Sequence, residues 1–149
     1  MKNILHILLF CILCNVTQLN SEEIPYLLTA SAKGDIETVK AIIQSGGNPN
    51  TEDKDKINAL MYASRKNQVA IIEYLISEGA DVNKVENDGW TALMFAAKKD
   101  YTETVNILLN NNADPKITDP DGWSAYGLAA TSGHYKTVDL LLKGGIDSN

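Results

Sequence analysis

An all-α solenoid of helix-turn-helix units stacked in series and joined by β-hairpin-like loops is the fold this sequence predicts. Three observations predict it. After residue 21 the chain matches itself at a shift of 33 residues without a gap, and a fixed period of about 20–50 residues is the mark of a serial repeat. Within each period the larger aliphatic residues fall at i, i+3 and i+4, the spacing of one buried helix face. Residue types that tolerate a left-handed backbone recur where those helices must end.

The 149 residues give room for one ordinary domain, and a hydrophobic share of 44% is that of a globular chain. The formal charge of −6 speaks against a sequence-independent nucleic-acid binder, which needs surplus Lys and Arg to neutralise phosphates. For the chain as a whole, a basic partner surface is easier to accommodate.

The first stretch, residues 1–21, differs from the rest. Lys2 supplies a positive start, residues 4–14 form an apolar run, and residues 15–21 are polar without Asp or Glu. That is the layout of a secretory signal peptide. The run is well short of the ~20 residues needed to span a bilayer, so no integral membrane span is expected in the mature form, and its lack of a polar face speaks against a helix of the folded domain. Removing residues 1–21 takes away Lys2, His6, Cys11 and Cys14, which leaves 12 basic and 19 acidic residues and a charge of −7 in place of −6. The mature chain then has no cysteine for a disulfide, a zinc thiolate or a nucleophile. A second reading of the same stretch makes Cys14 a lipid-attachment site, although Cys11-Ile12-Leu13 matches a small-residue lipobox poorly. Export to a periplasmic or secreted space is the expectation under both.

Four copies follow, at about 22–54, 55–87, 88–120 and 121–149. The sharpest match sets Asp88-Gly89-Trp90-Thr91-Ala92-Leu93-Met94-Phe95-Ala96-Ala97 against Asp121-Gly122-Trp123-Ser124-Ala125-Tyr126-Gly127-Leu128-Ala129-Ala130. The second copy carries Asp55-Lys56-Ile57-Asn58-Ala59-Leu60-Met61-Tyr62-Ala63-Ser64, and the first is degenerate. Each unit opens with a short helix marked by a small residue at one place, Ala30, Ala63, Ala96 and Ala129, which lets neighbouring units approach closely. Asn58, Thr91 and Ser124 stand at its N-cap, and Pro25 takes an early-helix position in the first copy. Gly34, Asn67, Asp100 and Gly133 fall where the chain turns back.

The second helix of each unit carries Val39, Ile42 and Ile43, then Ile72, Leu75 and Ile76, then Val105, Leu108 and Leu109, then Val138, Leu141 and Leu142. Gly46, Gly79, Asn112 and Gly145 close it. Because the second helix is lined with larger groups than the first, the stack is expected to curve with the short helices on its concave side. The last copy ends soon after its second helix, which leaves a partly exposed terminal face free to fray or to dock.

These residues resemble the ankyrin repeat, whose pattern runs roughly Asp-x-Gly-x-Thr-Pro-Leu-His-x-Ala-Ala, then Gly-His, an apolar helix and Gly-Ala-Asp-x-Asn. Gly79-Ala80-Asp81-Val82-Asn83 and Gly133-His134 follow it to the letter, and the likeness covers residues 22–149. Ala59, Ala92 and Ala125 stand in place of the Pro, and Met61, Met94 and Gly127 in place of the His. The resemblance implies a protein partner met by the hairpin tips and the exposed side of the short helices. Without the His, which usually ties hairpin to neighbour, a less rigid array is expected.

Little in the sequence suggests chemistry. His134 occupies the place of a structural His in the repeat, and the pairs Asp53/Asp55, Glu86/Asp88 and Asp119/Asp121 lack the further ligands and the closing Glu of a calcium loop, so they read as solvated hairpin tips. No phosphate-binding glycine motif is present. The residues call for no cofactor, no metal and no enzymatic role.

Surface residues carry the functional expectation instead. The tips place Ile24, Ile57, Trp90 and Trp123 in register, and the short helices place Thr29, Tyr62, Phe95 and Leu128 in register five residues later. Large apolar groups held at solvent-facing positions are the anchors that dominate binding energy. Packing between hairpins is the competing role for the two tryptophans. Arg65, Lys66, Lys98 and Lys99, with Lys33, cluster at the far ends of the short helices, where the helix dipole also favours cations. The candidate partner-binding set is therefore Ile57, Tyr62, Trp90, Phe95, Trp123, Leu128, Arg65, Lys66, Lys98 and Lys99.

Overall fold

A computed structural model of the chain describes residues 25–146. The expected signal peptide, Cys14 and Ile24 lie outside the described residues. The described chain is a row of four helical hairpins: α1 (Tyr26–Lys33) with α2 (Ile36–Gln44), α3 (Ala59–Arg65) with α4 (Val69–Ser77), α5 (Ala92–Lys98) with α6 (Thr102–Asn110), and α7 (Ala125–Thr131) with α8 (Tyr135–Leu141). A π-helical turn, Leu142–Ile146, follows α8. Among the described residues no regular strand forms, and isolated antiparallel bridges, Glu52 with Asn58 and Thr118 with Ser124, mark two hairpin tips.

The helix starts follow from their caps. Asn58, Thr91 and Ser124 sit in extended backbone, and each side-chain oxygen accepts from the N–H three residues on, Met61, Met94 and Gly127, which satisfies one orphan donor of the first turn. Pro25 is the N-cap of α1 rather than its first helical residue. Between the helices of each hairpin, Gly34, Asn67, Asp100 and Gly133 take φ of 81°, 55°, 58° and 74°. That turn accepts Asn and Asp because their short polar side chains tolerate the left-handed region.

The core is one continuous layer running through all four hairpins. Leu28, Leu60, Leu93 and Leu128 from the inner helices meet Val39, Ile72, Val105 and Leu141 from the outer ones, all buried. The inner helices pack against one another more extensively than the outer helices do. Small residues at the inner contact, Ala30, Ala63, Ala96 and Ala129, are 0–2% exposed and allow that approach. Each fully buried leucine contributes about 1.5–3 kcal/mol, but only against its neighbours, so the hairpins stand by stacking.

Polar ties stitch neighbouring hairpins at three levels. On the loop edge, Asn50 Nδ2 donates to Gly79 O and Asn50 Oδ1 accepts from Asp81 N. Asn83 repeats this with Asn112 O and Asp114 N. At the turn between helices, Thr104 Oγ1 donates to Asn67 Oδ1 at 2.8 Å and Thr137 Oγ1 to Asp100 Oδ1 at 2.7 Å. Along the tips, Asn87 N–H reaches Asp55 O at 3.0 Å.

The acidic tips correct an expectation. Glu86 and Asp119 are buried, 8% and 9% exposed. Glu86 Oε1 accepts from the N–H groups of Asp88 and Trp90, and Asp119 Oδ1 from those of Asp121 and Trp123. Asp53 Oδ1 does the same for Asp55 and Ile57. These carboxylates close the tight tip loop on its own backbone donors, and a charged side chain that collects two N–H groups has its burial compensated.

Candidate partner-binding groove

The groove is built on the inner helices α3 and α5 and the tip before α5. Arg65 and Lys66 end α3, Lys98 and Lys99 end α5, and Trp90 and Phe95 come from the tip and the middle turn of the third unit. These six residues line a depression of about 230 Å³. All six belong to the set the sequence singled out.

Its floor is aromatic. The rings of Trp90 and Phe95 are 5.1 Å apart between centroids and tilted by 44°, a separation within the favourable range for edge-to-face packing. The Arg65 guanidinium lies 5.1 Å from the Phe95 centroid on the next helix and 5.9 Å from that of Tyr62 on its own. Stacking on ring faces leaves the N–H edges of the fork for an acceptor. Tyr62 is in turn pinned, its hydroxyl donating to Asp53 Oδ2 at 2.8 Å. Burial pushes the Tyr62 phenol up to about 12, and the hydrogen bond to Asp53 adds to the rise.

Its walls are cationic and unneutralised. Among the described residues the ion pairs are Lys84 with Glu52, His134 with Asp100 and Lys143 with Asp139. None uses Arg65, Lys66, Lys98 or Lys99. Lys98 Nζ donates to Ser132 Oγ in the last hairpin at 3.2 Å. Asp100, next to Lys99 in sequence, directs its carboxylate to Thr137 and towards the His134 ring.

The remaining sequence-singled residues lie elsewhere. Ile57 is half-buried and packs against the core. Trp123 is 42% exposed, and its ring edge lies over Gly127, so that a Cβ there would meet Trp123 Cε3 at 3.2 Å. Leu128 corrects the expectation of a solvent-facing group, being 6% exposed. Thr29, Tyr62 and Phe95 at the equivalent places are each half-exposed. Lys33 is exposed and does not line the groove.

His134 is tied to structure. Its Nε2 is 3.1 Å from Lys98 O, and Gln68 makes the equivalent tie from Nε2 to Ala32 O two unit intervals earlier. Among the described residues no three His, Cys, Asp or Glu side chains converge as metal ligands, and no helix is long and apolar enough to cross a membrane.

A row of stacked helical hairpins with an open depression on its inner helices defines a repeat scaffold. The family model described as ankyrin repeats (3 copies) matches residues 27–119 and 85–149, and the chain belongs to the ankyrin-repeat family. A search of curated proteins finds no match. Ankyrin repeats are generally protein–protein interaction modules and are typically non-enzymatic.

Proposed function

We propose that this chain is an exported, non-enzymatic binding module of the cell envelope or secreted space that holds a protein partner in the groove between α3 and α5. The observation that carries the reading is the convergence of Trp90, Phe95 and four cations in one depression. Aromatic anchors beside arginine are the composition of energetically dominant interface positions. The single histidine after residue 21, held on a backbone carbonyl, supports binding over catalysis.

The test is a comparison of partners captured from envelope extract of the native source by wild type and by the Trp90→Ala/Phe95→Ala double variant. Loss of partners in the variant, with helical content unchanged by circular dichroism, is the expected outcome. Identical partner sets would dismiss the groove. Export is tested separately by the mass of the processed chain: a start between residues 15 and 22 corresponds to free secretion, a start at a modified Cys14 to lipid anchoring, and an unprocessed Met1 removes export altogether.

A further inference from the structure

We infer that the groove is specific for an acidic peptide segment carrying one apolar side chain, bound with its carboxylates at the far ends of α3 and α5; this rests on the groove being the binding site.

The chain is acidic overall, at −6, yet the groove walls are Arg65, Lys66, Lys98 and Lys99, none in an ion pair among the described residues. What sets these four cations apart is that they converge on one depression beside Trp90 and Phe95 without a paired carboxylate, so an acidic occupant would supply the counter-charge. Complementary potentials of this kind set specificity and association rate more than affinity.

Size selects the occupant further. A site for a whole small molecule usually encloses about 300–1,000 Å³, and this depression holds about 230 Å³. It is large enough to seat one apolar side chain. The Trp90 and Phe95 rings, 5.1 Å apart, form the apolar seat for that side chain. The Arg65 fork, its faces occupied by Phe95 and Tyr62, offers edge donors suited to a planar carboxylate.

Charge along the inner helices also fixes the direction of the segment. Asp55 and Asp88 are exposed at the tips, before α3 and α5, while the cations stand at the opposite ends of those helices. A segment laid along the groove meets like charge if its acidic end points to the tips. The favoured arrangement puts the apolar side chain against Trp90 and Phe95 and the acidic block beyond it, at Lys66 and Lys99.

The experiment uses the full chain with Trp123→Phe, which leaves Trp90 as the one tryptophan and its fluorescence as the reporter. Short synthetic peptides with a central leucine carry a block of glutamates, of serines or of lysines on one side, and a further glutamate peptide has alanine at the centre. The glutamate–leucine peptide is expected to change Trp90 emission saturably, and to bind at least tenfold more tightly than the serine, lysine and alanine-centred peptides. Raising salt from about 0.05 M to about 0.5 M, which cuts the screening length about threefold, is expected to weaken it about tenfold. Lys66→Gln/Lys99→Gln, at two exposed positions, is expected to remove that preference while the leucine contribution survives.

Equal binding of the serine and glutamate peptides, tighter binding of the lysine peptide, or salt-independent affinity would overturn the inference. So would an oligodeoxynucleotide that competes more strongly than the glutamate peptide, or the absence of any emission change with all peptides. In each of these cases the groove reading stands if the Trp90→Ala/Phe95→Ala variant still loses its captured partners, and it falls with the inference if that variant keeps them.

Discussion

The junction between the second and third hairpins and that between the third and fourth share one apolar layer but are trimmed differently. At the first, Asn83 ties the loop edge through Asn112 and Asp114, Asn87 ties the tips to Asp55, and Thr104 ties the turn to Asn67. At the second, the corresponding places hold Lys116 and Pro120, and proline has no N–H to donate. Its turn region is tied by Thr137 to Asp100, His134 to Lys98 O and Lys98 to Ser132. The groove lies over the junction fastened at both edges and the turn. A preorganised surface loses less free energy on binding, and these ties hold the anchors' junction in place.

The sharpest way to break this comparison is to cut the layer itself. Leu93 in α5 is 1% exposed and Leu141 in α8 is fully buried, and truncating either to alanine removes a similar volume. Leu93→Ala is expected to cost about 2–5 kcal/mol in denaturant unfolding and to lower hydrogen-exchange protection across the whole row, because a central unit couples both halves. Leu141→Ala is expected to release α7 and α8 while protection of α3 to α6 persists. Equal loss throughout both variants would show that the last hairpin is as firmly coupled as the middle ones.

A smaller cut tests the polar edge. Asn83→Ala leaves Asp114 N–H and Asn112 O without their partner and is expected to cost about 1–2 kcal/mol, whereas Lys116→Ala at the equivalent exposed position should stay within about 0.5 kcal/mol. The difference between the two midpoints in urea is the measurement. If both are neutral, the loop-edge ladder contributes nothing and the two junctions differ in appearance only.

Most of the fold was legible because each signal repeats in the chain. Caps at Asn58, Thr91 and Ser124 and the left-handed turns at Asn67 and Asp100 follow from residue type. Of the proposed site, Arg65, Lys66, Trp90, Phe95, Lys98 and Lys99 converge. Register placed Trp123 and Leu128 beside them, but register fixes a backbone position and not how far a side chain extends or which way it leans. Gly127 opens a seat that draws the Trp123 ring along α7, and Leu128 stays in the core. Buried Glu86 and Asp119 were missed for another reason: two exposed acids spaced by two residues look alike in sequence, and only the closed tip shows that one of each pair captures backbone donors. The signal was available in the period, since an acid recurs at 53, 86 and 119, two residues before each tip turn.

Tyr62 offers a titration that sharpens the comparison without deleting a contact. Its phenol is raised from an ordinary value of 10 to about 12, so the folded protein holds the proton that the unfolded chain releases first. The stability it contributes is complete below about pH 10 and is lost as pH rises towards about 12. Phenolate absorbance is expected to show a late step that Tyr62→Phe removes. Loss of no late step in Tyr62→Phe would place Tyr62 outside the shielded groove wall.

The least disruptive change falls at Ser64, on the same helix. Its Oγ is buried without a hydrogen-bond partner, while Ser31 one unit earlier donates to Leu27 O at 2.7 Å, and the third unit carries Ala97 at this place, also fully buried. A buried hydroxyl with nothing to bond loses its hydration for no return, and alanine is the better helix former. Ser64→Ala is therefore expected to leave the urea midpoint unchanged or to raise stability by up to about 1 kcal/mol, whereas Ser31→Ala should cost about 1 kcal/mol for its lost bond. A destabilised Ser64→Ala would reveal a partner for that hydroxyl at the junction beneath the groove, and would mean that the second and third hairpins are held by one more tie than their geometry displays.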